Sequence, residues 1–385
     1  MKAGLFLSHP VQYHVCLWRG LAARSDLDVR VFYFSDQGVN ATMDPGFARL
    51  VEWDVPLLDG YTSEFLRRDP VAQVTRSSIP EVDAFLAQNS FDVVFLHGYM
   101  HAYARQLLAR RRKYGYKVVM RGEFTDMRPP GSSPLKDVLR DVYLRWNYRK
   151  VDHFCPIGSD AIDHLRRMGV AESRMTLTPY SVDDGLIARQ RATTERVEAR
   201  KTLGLADDAL LFLFSGKLIP RKQPLLLAEA AASLAHDPRL AVAYLGSGEQ
   251  MAEVEARLRP VLGNRLILPG FVNQSELGRY FAAADVFVLP TAYDTWGLVV
   301  NEAMHWGLPC IVSDRTGCRR DLIAEGETGF IHPWSDASAL AALMQRFLDN
   351  PALAPQMGKL AGQRIEGFRS ELVVDRLYEA LVGGP

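Results

Sequence analysis

Short apolar, β-rich runs alternate with helix-length segments along most of the chain, and this alternation limits the fold more than any other feature. Ala3 to Ser8, Val29 to Phe34, Val93 to His97, Lys117 to Arg121, His153 to Pro156 and Met175 to Pro179 read as strands. Helical patterns fall between them at His14 to Arg24, His101 to Tyr114, Leu135 to Lys150 and Ser159 to Met168. Strands separated by helices of this length form βαβ units, hence a parallel sheet with helices on its faces. A polar, charged segment, Ser181 to Arg200, interrupts the alternation, which then restarts. Its second half offers strands at Leu210 to Ser215, Leu240 to Leu245, Leu266 to Leu268, Val286 to Leu289 and Pro309 to Val312. Helices are expected there at Pro224 to Ala235, Gln250 to Arg259 and Ser275 to Ala283.

The expected architecture is α/β: two Rossmann-like doubly wound domains in series, spanning 1–181 and 182–364. A C-terminal helix at 365–385 is free to cross back to the first domain. With 385 residues, 48% of them hydrophobic, the chain can fill two cores. The less regular stretch Gln37 to Ser78 reads as an insertion that shapes a substrate site.

Cys16, Cys155, Cys310 and Cys318 are scattered, with neither a disulfide framework nor metal-ligand spacing, which points to a reducing compartment. The apolar run after Met1 is too short for a signal peptide, and no stretch approaches the roughly 20 apolar residues of a spanning helix. A cytoplasmic protein is expected, soluble or peripheral at the inner face of the cytoplasmic membrane. Net charge is zero, yet between Arg105 and Lys150 there are 13 basic and 4 acidic residues. That stretch suits contact with an anionic membrane surface, although solvated helix faces explain such runs as well.

Candidate chemistry gathers at the carboxyl ends of strands, where open parallel sheets bind ligands. Asp294 and Glu302 bracket a strand-to-helix turn, Asp294-Thr-Trp-Gly-Leu-Val-Val-Asn-Glu302. Gly216, Lys217 and Lys222 follow the strand ending at Ser215; glycine and two cations before a helix suit a pair of phosphates. The turn Gly246-Ser247-Gly248 also follows a strand, but Met251 stands where a dinucleotide fingerprint needs its third glycine, disfavouring a nicotinamide dehydrogenase. In the first half, His97 ends a central strand and Arg121-Gly122-Glu123 ends the next. No His, Cys and carboxylate cluster has zinc spacing, so no metal is expected.

Taken together, these features resemble glycosyltransferase family 4, the retaining GT-B enzymes. The resemblance rests on Gly297 to Met304, Gly307-Leu308-Pro309, Ser313-Asp314 and Gly326 to Phe330, supported by Pro269-Gly270-Phe271 and Ala283 to Val286, and is looser in the first half. It implies two domains facing a central cleft, an acceptor-binding domain followed by a nucleotide-sugar domain. It implies that Glu302 holds the nucleotide ribose. Asp294, with backbone near Trp296, Gly297, Leu298 and Val299, would hold the transferred sugar. Lys217 and Lys222 would stabilise the leaving diphosphate beside Gly216 and Gly246, and Phe271 and Val272 would border the base. His97 matches the catalytic-loop histidine, and the acceptor is expected near His9, Gln12, Tyr13, Arg121 and Glu123.

The implied activity is retaining transfer, without metal or other cofactor, from a UDP- or GDP-sugar to a glycan or lipid-linked acceptor in bacterial polysaccharide or lipopolysaccharide synthesis. No nucleic-acid partner is implied. Three departures stand out: Asp294 replaces the usual Glu, Lys217 the usual Arg, and His9-Pro10-Val11-Gln12-Tyr13 the usual glycine pair. A GT-B sugar-nucleotide epimerase and a non-catalytic nucleotide-sugar-binding protein are the alternatives.

Overall fold

The computed structural model describes the chain apart from Pro45, Ala48, 128–133 and 384–385. The chain divides into two compact units: Met1–Thr42 with Val55–Asp183 and Arg369–Pro385, and Met43–Asp54 with Asp184–Phe368.

The first unit starts with β1 (Lys2–Leu7), α1 (Gln12–Ala22) and β2 (Asp28–Tyr33). Two short paired strands follow, β3 (Thr42–Asp44) and β4 (Arg49–Val51), which belong almost wholly to the second unit. The first unit resumes with β5 (Thr62–Phe65), α2 (Val82–Gln88), β6 (Val93–His97), α3 (Ala102–Tyr114), β7 (Lys117–Gly122), α4 (Pro134–Tyr148), β8 (His153–Pro156) and α5 (Ser159–Arg167). Its sheet is parallel throughout, in the order β5-β2-β1-β6-β7-β8. The strand order therefore reverses between β1 and β6, and the loops leaving their carboxyl ends frame the place where such sheets take ligands.

Met175 to Pro179 forms no strand of its own. It runs along the edge of β8, with Thr176 and Thr178 donating to the carbonyls of Phe154 and Pro156, and only one bridge forms, between Phe154 and Met175. Pro156 has no N–H to return a bond, so the ladder stops.

The second unit contains α6 (Asp184–Thr193), α7 (Arg196–Thr202), β9 (Leu210–Ser215), α8 (Pro224–Ser233), β10 (Leu240–Leu245), α9 (Met251–Leu262), β11 (Leu266–Gly270), α10 (Gln274–Ala283), β12 (Val286–Leu289), α11 (Leu298–His305), β13 (Cys310–Ser313), α12 (Arg319–Leu322), β14 (Gly329–His332), α13 (Ala337–Asp349) and α14 (Leu353–Ile365). The order β11-β10-β9-β12-β13-β14 repeats the first topology, with its reversal between β9 and β12. All of these strands are parallel; the apolar runs of β9, β10, β12 and β13 are buried on both faces, as a helix-covered parallel sheet requires, while the edge strand β11 is only partly buried.

The last helix, α15 (Ser370–Val382), returns to the first unit. Val373, Val374, Leu377, Ala380 and Leu381 join the core under α1. The approach is close: a Cβ on Gly20 would lie 2.6 Å from a Val374 methyl.

Candidate active site

In the second unit, the loops leaving β9 and β12 lie at the strand-order reversal. Leaving β9, the chain passes Gly216 and Lys217 and turns through a short 3-10 segment, Pro220–Lys222. The neighbouring glycine turn is knitted to it, because Gly216 donates to Leu245 O at 2.8 Å and Leu218 donates to Ser247 O at 2.9 Å. Gly246 has φ 139°, and a Cβ there would lie 1.9 Å from Gly216 O, so only glycine fits.

The loop after β12 is tied to the same lysine-bearing turn. Thr291 Oγ and Ala292 N donate to Arg221 O at 2.8 and 2.9 Å, and Lys222 Nζ forms an ion pair with Asp294. Asp294 is 8% exposed. Burial opposes its ionisation, but the Lys222 ammonium, with Arg221 and the Trp296 amide, outweighs that penalty and holds the carboxyl below its usual value.

Trp296 is buried, and its indole N–H donates to Asn301 at 2.9 Å, which fixes the turn. Gly297, at φ 94°, starts α11, so the first N–H groups of Leu298 and Val299 have no partner one turn back. These amides form the positive end of the helix. Glu302 lies one turn further along α11, buried. The turn has a second support that the sequence did not disclose: Asp294 and Thr316 form a bridge, Gly317 donates to Asp294 O at 2.9 Å, and Cys318 donates to Trp296 O at 2.9 Å.

Part of the insertion is packed across these loops. Asp44, from the end of β3, places both carboxylate oxygens 2.8 and 2.9 Å from Lys217 Nζ. The same carboxylate accepts from the backbone of Gly46 and Phe47. Ser247 Oγ donates to Phe47 O at 2.7 Å. Phe47 meets Phe271 edge-on at 5.0 Å, while the Arg49 guanidinium sits 4.8 Å over the Phe271 ring and Trp53 lies against it. Asn273, which caps α10, donates to Glu52 O at 2.9 Å. Lys217, Ser247 and Phe271, with Val272 following, are thus gathered under one segment from the first half of the sequence.

In the first unit, the carboxyl ends of β1 and β6 bring a group of imidazoles together. Ser8 Oγ bonds His9 Nδ1 at 2.9 Å, the His14 and His97 rings lie 4.9 Å apart, and His101 stacks on Tyr103. Gln12 and Tyr13 open α1 beside them. Burial depresses the basicity of the group. It pushes His97 down to about 3, helped by Arg121, His101 and His9. His9 falls to about 4, also through burial and with His101 beside it, and His14 lies well below its usual value.

Arg121 is fully enclosed. It donates to the carbonyls of Thr178 and Pro179 at 3.1 and 2.9 Å, and its guanidinium lies 4.9 Å from the Tyr180 ring centre. Its influence on a ligand would be electrostatic, through the imidazoles above it. His97 Nε2 lies 3.1 Å from Tyr180 Oη, and Tyr180 Oη donates to Glu123 at 3.1 Å. A phenol that gives its proton to a carboxylate accepts from the histidine, which makes Nε2 the protonated nitrogen. Nδ1 is then an acceptor, and it is buried with no hydrogen-bond partner among the described residues.

Sequence reasoning overlooked Asp44, His14, Tyr180 and Gly317. Asp44 lies within the stretch read as an insertion, and His14 within the His-Pro-x-Gln-Tyr-His run, so two of the four had a visible signal. No group of three or more His, Cys, Asp or Glu among the described residues is arranged to hold a metal ion.

Comparison with known proteins accounts for both units. The model of the glycosyl transferases group 1 matches residues 195–364, and that of the glycosyl transferase 4-like domain matches residues 11–181. A D-inositol 3-phosphate glycosyltransferase of Streptomyces avermitilis is 34% identical over 230 residues, 54% of this chain and 49% of the relative. The UDP-Gal:alpha-D-GlcNAc-diphosphoundecaprenol alpha-1,3-galactosyltransferase of Escherichia coli is 29% identical over 187 residues, 47% of this chain and 48% of the relative. The matches thus span about half the length of each relative. Among solved structures, Anabaena HepE in complex with UDP and glucose superposes with a TM-score of 0.74 over 100% of both chains at 17% identity, a likeness of fold. The chain belongs to glycosyltransferase family 4 and has the GT-B fold.

Proposed function

We propose that the chain transfers a sugar, with retention and without a metal ion, from a UDP- or GDP-sugar to a glycan or lipid-linked acceptor. The observation that carries this reading is the convergence of Lys217, Lys222, Asp294 and the start of α11 on the strand-order reversal of one sheet. Glycosyl transfer needs stabilisation of a leaving nucleoside diphosphate and of an oxocarbenium-like sugar. Two ammonium groups with the amides of Leu298 and Val299 supply positive charge for the first. Asp294 and Glu302 supply carboxylates for sugar and ribose hydroxyls, and Phe271 offers an aromatic face to the base.

His97 is assigned to a hydroxyl of the reacting sugars. As a neutral imidazole with Nδ1 as acceptor, it can take a hydrogen bond from a hydroxyl without becoming an imidazolium. His9, Gln12, Tyr13 and Glu123 are assigned to the acceptor. The UDP found with HepE and the UDP-Gal in the name of the E. coli relative favour a uridine donor. That relative's diphosphoundecaprenol-linked substrate supports a lipid-linked acceptor in surface-glycan synthesis at the inner face of the membrane.

Candidate UDP- and GDP-sugars incubated with lipid-linked and free glycans test the reading, with the product anomer read by NMR and chelator added in parallel. Retained configuration and unchanged rate under chelator are expected. Products of inverted configuration only, or a rate abolished by chelator and restored by metal, would overturn it.

A further inference from the structure

The basic stretch of the first unit does not present all its charge to solvent. Arg110 and Lys113 on α3 both pair with Asp83, and Arg111 pairs with Asp152. Residues 128–133, in the same stretch, lie outside the described residues. The unusual surface belongs to α4. Leu144 and Tyr148 turn inward and are buried, whereas Val138, Leu139, Val142, Tyr143 and Trp146 are all exposed, Leu139 by 64% and Trp146 by 57%. At the α-helical rotation per residue, these five fall on a single arc of roughly 140°. A soluble helix normally buries that face.

Charge is segregated along the same helix. Asp141 lies on the packed side, where Arg167 bonds it at 2.5 Å. Arg145 is also turned to that side, donating to Arg167 O at 3.1 Å, whereas Arg149 and Lys150 follow the end of the helix and Lys150 Nζ sits 3.0 Å from the centre of the Trp146 ring. An apolar stripe ending in an amphipathic aromatic and a set of cations matches the layering of an anionic bilayer surface, where acyl chains, interface and headgroup phosphates succeed one another. A protein partner would need no such ordering.

We propose that the exposed face of α4 docks the protein onto an anionic lipid bilayer, with Val138, Leu139 and Val142 at the headgroup–acyl boundary and Arg149 and Lys150 on the lipid phosphates. No helix among the described residues is long and apolar enough to cross a membrane, so this contact is interfacial. The proposal is independent of the transfer chemistry, because α4 carries none of the residues assigned to donor or acceptor.

Co-sedimentation of the full chain with vesicles, in the absence of sugar nucleotide, tests it. Vesicles of phosphatidylcholine containing phosphatidylglycerol should bind the chain and pure phosphatidylcholine much less, with binding weakened by high salt. The triple variant Leu139→Glu, Val142→Glu, Trp146→Glu should lose about tenfold or more in vesicle affinity, with an unchanged circular-dichroism spectrum. If that variant fails to fold, Arg149→Glu with Lys150→Glu, beyond the end of the helix, should still abolish the preference for phosphatidylglycerol. Failure of the wild-type chain to bind anionic vesicles would overturn the proposal, as would undiminished binding by the folded variants. A concentration-dependent dimer that ignores vesicles and is dispersed by the triple variant would assign the face to a second copy instead.

Discussion

Lys217 Nζ lies 2.8 and 2.9 Å from the two carboxylate oxygens of Asp44, a residue that precedes it by 173 positions in the chain. If Lys217 neutralises a leaving diphosphate, that diphosphate competes with Asp44 for the ammonium. The lysine is about one-third exposed, so screening limits the pair to about 1 kcal/mol. Asp44→Asn keeps an oxygen to accept from Gly46 and Phe47 while removing the charge. The donor KM should therefore fall about fivefold with little change in kcat. A donor KM that rises in this variant would mean that Asp44 supports the donor site rather than competing for it.

Lys222 and Asp294 form a more buried pair, with side chains 15% and 12% exposed. Removing one partner strands a charge in a site that solvent reaches poorly. Lys222→Ala should cost about 3 kcal/mol of stability and on the order of a hundredfold in kcat. Adding Asp294→Ala should restore much of the stability and none of the activity. Urea denaturation of both single variants and the double variant gives the coupling directly; strictly additive losses would show that the two charges do not depend on each other.

The two-unit α/β fold was legible because its signals are local. Each strand is a short apolar run and each helix a periodic stretch, and a parallel sheet follows from their order. The placement of Lys217, Lys222 and Asp294 in loops that follow strand ends, and of Glu302 in the helix after one of those loops, was legible for the same reason. Asp44 beside Lys217, Gly317 beside Asp294 and, in the other unit, Tyr180 beside His97 come from segments remote in sequence or lacking periodicity, so only tertiary packing reveals them. Met175 to Pro179 misled in the opposite way: its composition suits a strand, but the missing amide of Pro156 next to it stops the ladder.

The imidazoles at the carboxyl ends of β1 and β6 make stability depend on pH. His9, His14 and His97 bind protons more weakly when folded than an unfolded histidine, whose value is about 6.5. Below that value the unfolded chain takes up protons that the folded chain refuses, so stability is complete above about pH 6.5 and falls as the pH drops toward 4 and 3. With three such groups the slope reaches roughly 4 kcal/mol per pH unit. Arg121, His101, Tyr180 and Glu123 face the cluster, and none of them reverses this sign. Denaturation at pH 7, 6 and 5 measures the slope, and equal stability at pH 7 and 5 would contradict the depressed values.

The chain of hydrogen bonds from His97 through Tyr180 to Glu123 gives Tyr180 a positioning role. Tyr180→Phe keeps the ring over Arg121 but removes the acceptor that selects the Nε2–H form of His97. The neutral histidine then samples both tautomers, and Nδ1 is no longer reserved as an acceptor. A fall of roughly tenfold in kcat with donor KM nearly unchanged is expected, together with a changed tautomer ratio in nitrogen-15 spectra of the imidazole. An altered KM alone, with the tautomer ratio intact, would reduce Tyr180 to a packing residue.

Gly317 offers the strictest test of how the turn at Asp294 is held. A Cβ at this position would lie 2.0 Å from Thr295 O and 2.5 Å from its carbonyl carbon, both backbone atoms that no rotamer change can move. Gly317→Ala must therefore displace either the loop after β13 or the segment Asp294 to Trp296, breaking the bonds from Gly317 N and Cys318 N to Asp294 O and Trp296 O. Either displacement moves Asp294 relative to Lys222 and the start of α11. Overpacking of this kind costs about 1–3 kcal/mol, and an ångström of misplacement at reacting groups costs on the order of a hundredfold in rate. The variant should thus be folded and slow, with a melting temperature only a few degrees below wild type. A variant of wild-type activity would show that Asp294 keeps its position without this support.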